Sequence, residues 1–98
     1  MKLDLTGDGV EITPAIREYV EKKSQKLEKF FEDDTILHVT YSANKGNSDL
    51  DIGIEEKGVT YMAEEQNRDL YAGIDLGVDK ILGQIRKQKT KILSNRNQ

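Results

Sequence analysis

From Asp69 to Leu93 the chain carries one uninterrupted amphipathic pattern, and that pattern limits what the rest of the chain can be. Leu70, Tyr71, Ile74, Val78, Ile81, Leu82, Ile85 and Ile92 recur at i, i+3, i+4 and i+7, the spacing that gathers side chains on one face of an α-helix. A stripe this long is stable only when another layer covers it. The cover has to come from residues 1–68.

Those residues supply four segments with the two-residue alternation of half-buried strands. Leu3 and Leu5 alternate with Lys2, Asp4 and Thr6 before a Gly7-Asp8-Gly9 turn; Leu37, Val39 and Tyr41 alternate with Ile36, His38 and Thr40. Leu50, Ile52 and Ile54 form a third apolar set and Val59, Tyr61 and Ala63 a fourth, joined by a hairpin turn at Glu55-Glu56-Lys57-Gly58. Ser42 to Ser48 has no periodicity and reads as a mobile polar loop. Thr13-Pro14 starts a first helix, because a threonine hydroxyl caps free N–H groups and proline suits the first helical position. That helix is expected to run to about Phe31, with Ile16, Tyr19, Val20, Leu27, Phe30 and Phe31 on its apolar face. Lys22, Lys26 and Lys29 gather on one flank, and Glu21 and Glu28 with Arg17 on the other.

Asp69 caps the second helix. Gly73, Gly77 and Gly83 inside it each cost about 1 kcal/mol relative to alanine. Gly73 and Gly77 share a flank and point to close approach of another backbone, most simply the first helix, whereas Gly83 has no structural account. Tyr71 lies on the apolar stripe and is assigned to the core, and Ser94 to Gln98 are expected to fray. The order β-α-β-β-β-α, with one apolar face per element, predicts a single α+β domain over residues 1–98: two layers, a four-stranded sheet with two helices packed on one face.

The chemistry available to such a domain is narrow. With no cysteine, one histidine and one proline in 98 residues, a zinc site or a nucleophilic triad lacks its parts, so no catalytic residue, metal or cofactor is expected. His38 belongs on the solvent side of its strand. Asp49, Asp51, Glu56 and Glu64 read as a solvated sheet face, since nothing nearby separates their acidities as acid–base work requires. No stretch approaches the roughly 18 apolar residues of a membrane span. Charge is the feature that points somewhere. Six of the 15 basic residues, Lys80, Arg86, Lys87, Lys89, Lys91 and Arg96, fall in residues 80–98 without one acid, leaving 9 bases against 18 acids before them. Lys80, Lys87 and Lys91 align on one flank of the second helix, expected to meet the lysine flank of the first. Acid depletion and alignment in an otherwise acidic chain point to a polyanionic partner, most commonly a phosphate backbone.

Several segments resemble the ribosome hibernation promoting factor and ribosome-associated inhibitor A family. They are Glu11-Ile12-Thr13-Pro14-Ala15-Ile16-Arg17-Glu18-Tyr19-Val20, Lys26-Leu27-Glu28-Lys29-Phe30-Phe31, Asp69-Leu70-Tyr71-Ala72-Gly73-Ile74-Asp75, and Asp79-Lys80 through Gln84-Ile85-Arg86-Lys87-Gln88-Lys89. The likeness runs from the first strand to about Lys91. It implies a fold similar to double-stranded-RNA-binding domains and a cytoplasmic protein that occupies the mRNA and tRNA channel of the small ribosomal subunit. Such a protein would block translation by occupancy and protect idle ribosomes in stationary phase or stress, without catalysis, DNA or membrane, as a monomer off the ribosome. Carried over by position, the rRNA contacts are Lys22, Lys23, Lys26, Lys29, Lys80, Arg86, Lys87, Lys89 and Lys91; Lys23 sits near the core edge and must reach out along its stem. Gly83 and Gln88 stand where relatives often have arginine and histidine, and the net charge is −3. Those departures support an alternative, a protein-interaction module of the same fold with weakened RNA affinity.

Overall fold

Alternating inward and outward side chains build strands β1 (Lys2–Asp8), β2 (Ile36–Asn44), β3 (Asn47–Glu56) and β4 (Val59–Asn67), which form one sheet in the order β1-β2-β3-β4. The structure, a computed structural model, describes the backbone of residues 1–96 and the side chains of residues 1–88. β1 pairs parallel with β2, and the other two pairs are antiparallel. The parallel step is crossed by α1 (Pro14–Ser24) and a 3₁₀ segment (Gln25–Phe30); α2 (Leu70–Arg96) follows β4. The predicted α+β order and its four-stranded sheet are those of the structure. Ser94 to Arg96, expected to fray, are instead the last residues of α2, and Asn97 and Gln98 lie outside the described residues.

One sheet face carries Leu5, Leu37, Val39, Leu50, Ile52, Ile54, Tyr61 and Ala63, all buried against Ile16, Val20 and Leu27 on one side and Ile74, Val78, Ile81, Leu82 and Ile85 of α2 on the other. Each fully buried aliphatic side chain contributes roughly 1.5–3 kcal/mol, so this shared core decides which face of each element turns inward. The opposite sheet face is open.

Four local expectations need correction. Ser42 to Ser48 is not a loop: β2 and β3 run into a two-residue turn at Lys45-Gly46, with φ of 52° and 82°. Lys57-Gly58 repeats the arrangement, with φ of 52° and 79°. Two consecutive positive φ values make the turn whose twist matches a hairpin, and glycine at the second position keeps the strain small. The signal was Asn44-Lys45-Gly46-Asn47, masked by polar strand ends whose side chains face solvent.

The first helix also changes character. Ser24 is buried and its hydroxyl donates back to the Glu21 carbonyl at 3.1 Å, a contact that loosens helical turns. Beyond it the chain tightens into the 3₁₀ segment, where side chains three apart eclipse. Leu27 and Phe30 therefore both face the core, and Lys26 and Lys29 both face out.

Gly73 and Gly77 do mark a close approach, but to the sheet rather than to α1. A Cβ on Gly77 would lie 2.5 Å from Ile52 Cδ1, and one on Gly73 would lie 3.1 Å from Leu50 Cδ1. α2 thus sinks against β3 at these two turns. Tyr71, assigned to the core from its place on the stripe, is instead 40% exposed. The first turn of α2 faces α1, where the Tyr71 ring meets Tyr19 edge-on with centroids 4.8 Å apart.

Candidate nucleic-acid interface

The helix layer positions its cations through two well-defined helix starts. Thr13 caps α1 by accepting from the Ile16 N–H at 3.2 Å. Asp69 accepts from the Tyr71 N–H at 2.9 Å at the head of α2. From there the side chains fall into two groups on opposite flanks of α2.

On the α1 side, Asp75 and Asp79 stand one turn apart and face the first helix. Tyr19 donates its hydroxyl to both oxygens of Asp75, each at 2.9 Å. Lys23 lies 3.6 Å from the same carboxylate, with its ammonium 5.4 Å from the Tyr19 ring centroid. Its head is thus turned toward α2 and the Tyr19 ring rather than simply outward along its stem, as its position near the core edge had suggested. Lys26 pairs with Asp79. The hydrogen bond to Asp75, with desolvation and the charges of Asp75 and Asp69, raises the Tyr19 pKa above the ordinary tyrosine value, because ionising the phenol sets an anion against an anion.

On the β4 side, Lys80 pairs with Glu65, whose side chain is 12% exposed, and reaches the Glu64 carbonyl at 3.5 Å. Gln84 grips the same edge strand: its amide oxygen accepts from the Met62 N–H at 3.0 Å and its amide nitrogen donates to the Met62 carbonyl. Lys87 lines a shallow hollow with Val59, Thr60, Tyr61 and Gln84.

The expected meeting of the two lysine flanks does not occur. Lys80 and Lys87 look toward β4, and the face of α2 that meets α1 carries acids. Lys22, Lys29, Arg86 and Lys87 are exposed and form no ion pair among the described residues, with Lys29 packed 5.2 Å over the Phe30 ring. The side chains of Lys89 and Lys91 lie outside the described residues. Sequence reasoning missed Asp75 and Asp79 as partners of the cations; their i, i+4 spacing was the available signal.

The open sheet face has the opposite character. Asp4, Asp8, Asp51, Glu55 and Glu64 are exposed there, and Asp51 stands directly across from Glu64. His38 lies on this face as predicted, its Nδ1 3.0 Å from Asp4 Oδ2. Gly53, between His38 and Met62 in the register, leaves an open hollow of about 640 Å³ lined also by Ile36, Glu55 and Thr60. Among the described residues no cluster of His, Asp and Glu has the makings of a metal site.

Comparison with known proteins identifies the family and the fold. Residues 3–93 match the family described as sigma 54 modulation protein / S30EA ribosomal protein. A ribosome hibernation promotion factor of Staphylococcus aureus (strain COL) is 44% identical over 97 residues, covering 94% of this chain and 50% of that protein. The chain thus spans about half the length of the curated relative it matches. The Thermus thermophilus Protein Y N-terminal domain superimposes with a TM-score of 0.78 at 35% identity, covering 89% of this chain and 98% of that one. A ribosomal subunit interface protein from Coxiella burnetii gives 0.79 at 32% identity, covering 92% and 99%. With its sequence matched almost end to end and its fold shared with these domains, the chain belongs to the S30EA ribosomal protein family, which includes ribosome hibernation promotion factors.

Proposed function

We propose that this chain is a non-catalytic ribosome hibernation factor that binds the small ribosomal subunit in the channel used by mRNA and tRNA and inhibits translation by occupying it. The observation that carries the reading is the sorting of charge between the two layers. Exposed cations without ion pairs among the described residues, Lys22, Lys29, Arg86 and Lys87, stand on the helix layer, while the open sheet face is acidic. Phosphate is attracted to one side and repelled by the other, which orients the protein on rRNA. Lys23, Lys26 and Lys80, and Lys89 and Lys91 by position, complete the proposed contacting set. The names of the relatives, a hibernation promotion factor and a subunit interface protein, support the same partner. No described helix is long and apolar enough to cross a membrane, and the proposed site of action is the cytoplasm.

Co-sedimentation with purified small subunits at low and high salt tests the reading. Removing one phosphate–lysine interaction lowers the salt slope by roughly 0.7–0.9, so Lys87→Glu/Lys91→Glu and Lys22→Glu/Lys29→Glu should each abolish pelleting at moderate salt. Unchanged pelleting of both variants overturns the helix-surface account. A second reading, a protein-interaction module using the sheet, draws on Met62, 62% exposed beside the Gly53 hollow. It predicts a partner whose binding is insensitive to those four lysines.

A further inference from the structure

We propose that Asp75 and Asp79 act as built-in phosphate mimics that occupy Lys23 and Lys26 in the free protein and so determine which RNA the helix layer accepts. The inference rests on the RNA-binding reading above and names a specificity device within it.

The two carboxylates lie four residues apart on α2, about 6 Å along the axis, similar to the separation of successive phosphates on an RNA strand. Each meets a lysine of the opposing segment, Lys23 at Asp75 and Lys26 at Asp79. The two pairs are not equivalent. Asp75 is also held by the Tyr19 hydroxyl at 2.9 Å, so it has a part in joining α1 to α2. Asp79 has Lys26 as its sole side-chain partner among the described residues, and the pair is open to water, with side chains 59% and 42% exposed. Exposed pairs of this kind are weak, because water screens them, so an incoming phosphate can displace the carboxylate. The Lys80–Glu65 pair differs again, because Glu65 is nearly buried and releasing Lys80 would strand that charge.

Displacement changes the energetics of binding. A lysine that already holds a carboxylate brings little net positive charge to a phosphate, and the freed carboxylate then repels the strand that replaced it. A flexible RNA gains little from Lys23 and Lys26 and meets the −3 charge of the whole chain. A rigid, folded RNA that engages Lys22, Lys29, Arg86 and Lys87 together is held in place while the exchange occurs. The acidic residues thus suppress adventitious binding more than binding to a preformed surface.

Asp79→Asn separates the two cases. Binding of an oligouridine and of purified small subunits is followed across salt concentrations for wild type, Asp79→Asn and Lys26→Ala/Asp79→Asn. The proposal expects the single variant to gain about 0.7 in oligouridine salt slope, one phosphate contact on a single strand, or about fivefold in affinity near ~0.1 M salt by the same slope. The double variant should not show that gain, and subunit affinity should rise by a smaller factor. Unchanged or weaker oligouridine binding by Asp79→Asn, at unchanged melting temperature, overturns the proposal and leaves Asp79 as a residue that only positions Lys26. Failure of wild type to bind subunits, with the oligouridine gain intact, would refute the ribosomal reading and not this one.

Discussion

Two glycines in one helix should respond to alanine with opposite signs. Gly83 has open space around the position of a Cβ, so Gly83→Ala removes the backbone-entropy cost of glycine and meets nothing, a gain of roughly 1 kcal/mol. In a domain of this size that raises Tm by about 4–8 °C. Gly77→Ala brings the same gain, but its methyl lies 2.5 Å from Ile52 Cδ1, and Ile52 is buried at the centre of β3. Overpacking of this kind costs about 1–3 kcal/mol. The net effect runs from neutral to about 2 kcal/mol destabilising, so the two variants should differ in Tm by several degrees. Because the obstacle is one terminal methyl, it can be deleted separately. Ile52→Val alone should cost about 0.5–1.5 kcal/mol, yet in the Gly77→Ala background it should cost less or reverse sign, a coupling of roughly 0.5–3 kcal/mol. Thermal and urea unfolding followed by circular dichroism closes the cycle. Additive effects of Gly77→Ala and Ile52→Val, or equal stabilisation by the two alanines, would refute the close-approach account of α2.

Other perturbations read other parts of the structure. The folded chain holds the Tyr19 proton more tightly than the unfolded chain does, so the associated stability is fully present below about pH 10 and is lost as pH rises through the folded value. Wild type should therefore lose more stability than Tyr19→Phe between about pH 9 and pH 11 in an alkaline denaturation series, the remaining slope including Tyr61, which burial also raises. Parallel slopes would show that the Tyr19–Asp75 bond does not persist in solution. Gln84→Ala should cost about 1 kcal/mol and, by uncovering the Met62 backbone, increase concentration-dependent association through the β4 edge, measurable by light scattering. Leu27→Ala should cost about 2–5 kcal/mol, because Leu27 is fully buried in the 3₁₀ segment; a cost under 1 kcal/mol would mean that this segment contributes little to the core.

Periodicity made the fold legible because nearly every inward position is aliphatic and most outward ones are polar. Leu50, Ile52 and Ile54 announce one face of β3, and Ile74, Val78, Ile81 and Ile85 one face of α2. It failed where local chemistry outweighs pattern. At Lys45-Gly46 the flanking side chains are polar, so the alternation disappears just where backbone pairing carries the strands on to Asn44 and Asn47. At Gln25 to Phe30 the apolar spacing fits either helix type, and only the buried Ser24 marks the change. For the interface, the cations and their helices were legible, but their partners were not. Lys26 and Asp79 are 53 residues apart, and a sequence wheel treats each helix alone. The flank of α2 that meets α1 was decided by the glycines, which bring the helix down on β3 and turn Lys80 and Gln84 toward β4.

The basic end of α2 has a plainer explanation that must be weighed, since cations near a helix C-terminus stabilise it by about 0.3–1 kcal/mol each through the macrodipole. That effect falls off within the last turn, and α2 runs to Arg96. Arg86 and Lys87 stand more than two turns earlier, on backbone whose carbonyls are already bonded within the helix, so the dipole gives them nothing. Neither has an acid partner among the described residues, and Gln84, one turn from Lys80, spends its amide on the β4 edge rather than on a charge. Three other lysines of the helix layer, Lys23, Lys26 and Lys80, each have a carboxylate. Arg86 and Lys87, unpaired among the described residues in the middle of a helix, thus owe nothing to the dipole or to an ion pair, and they are the cations on which the proposed contact with an anion outside the chain rests.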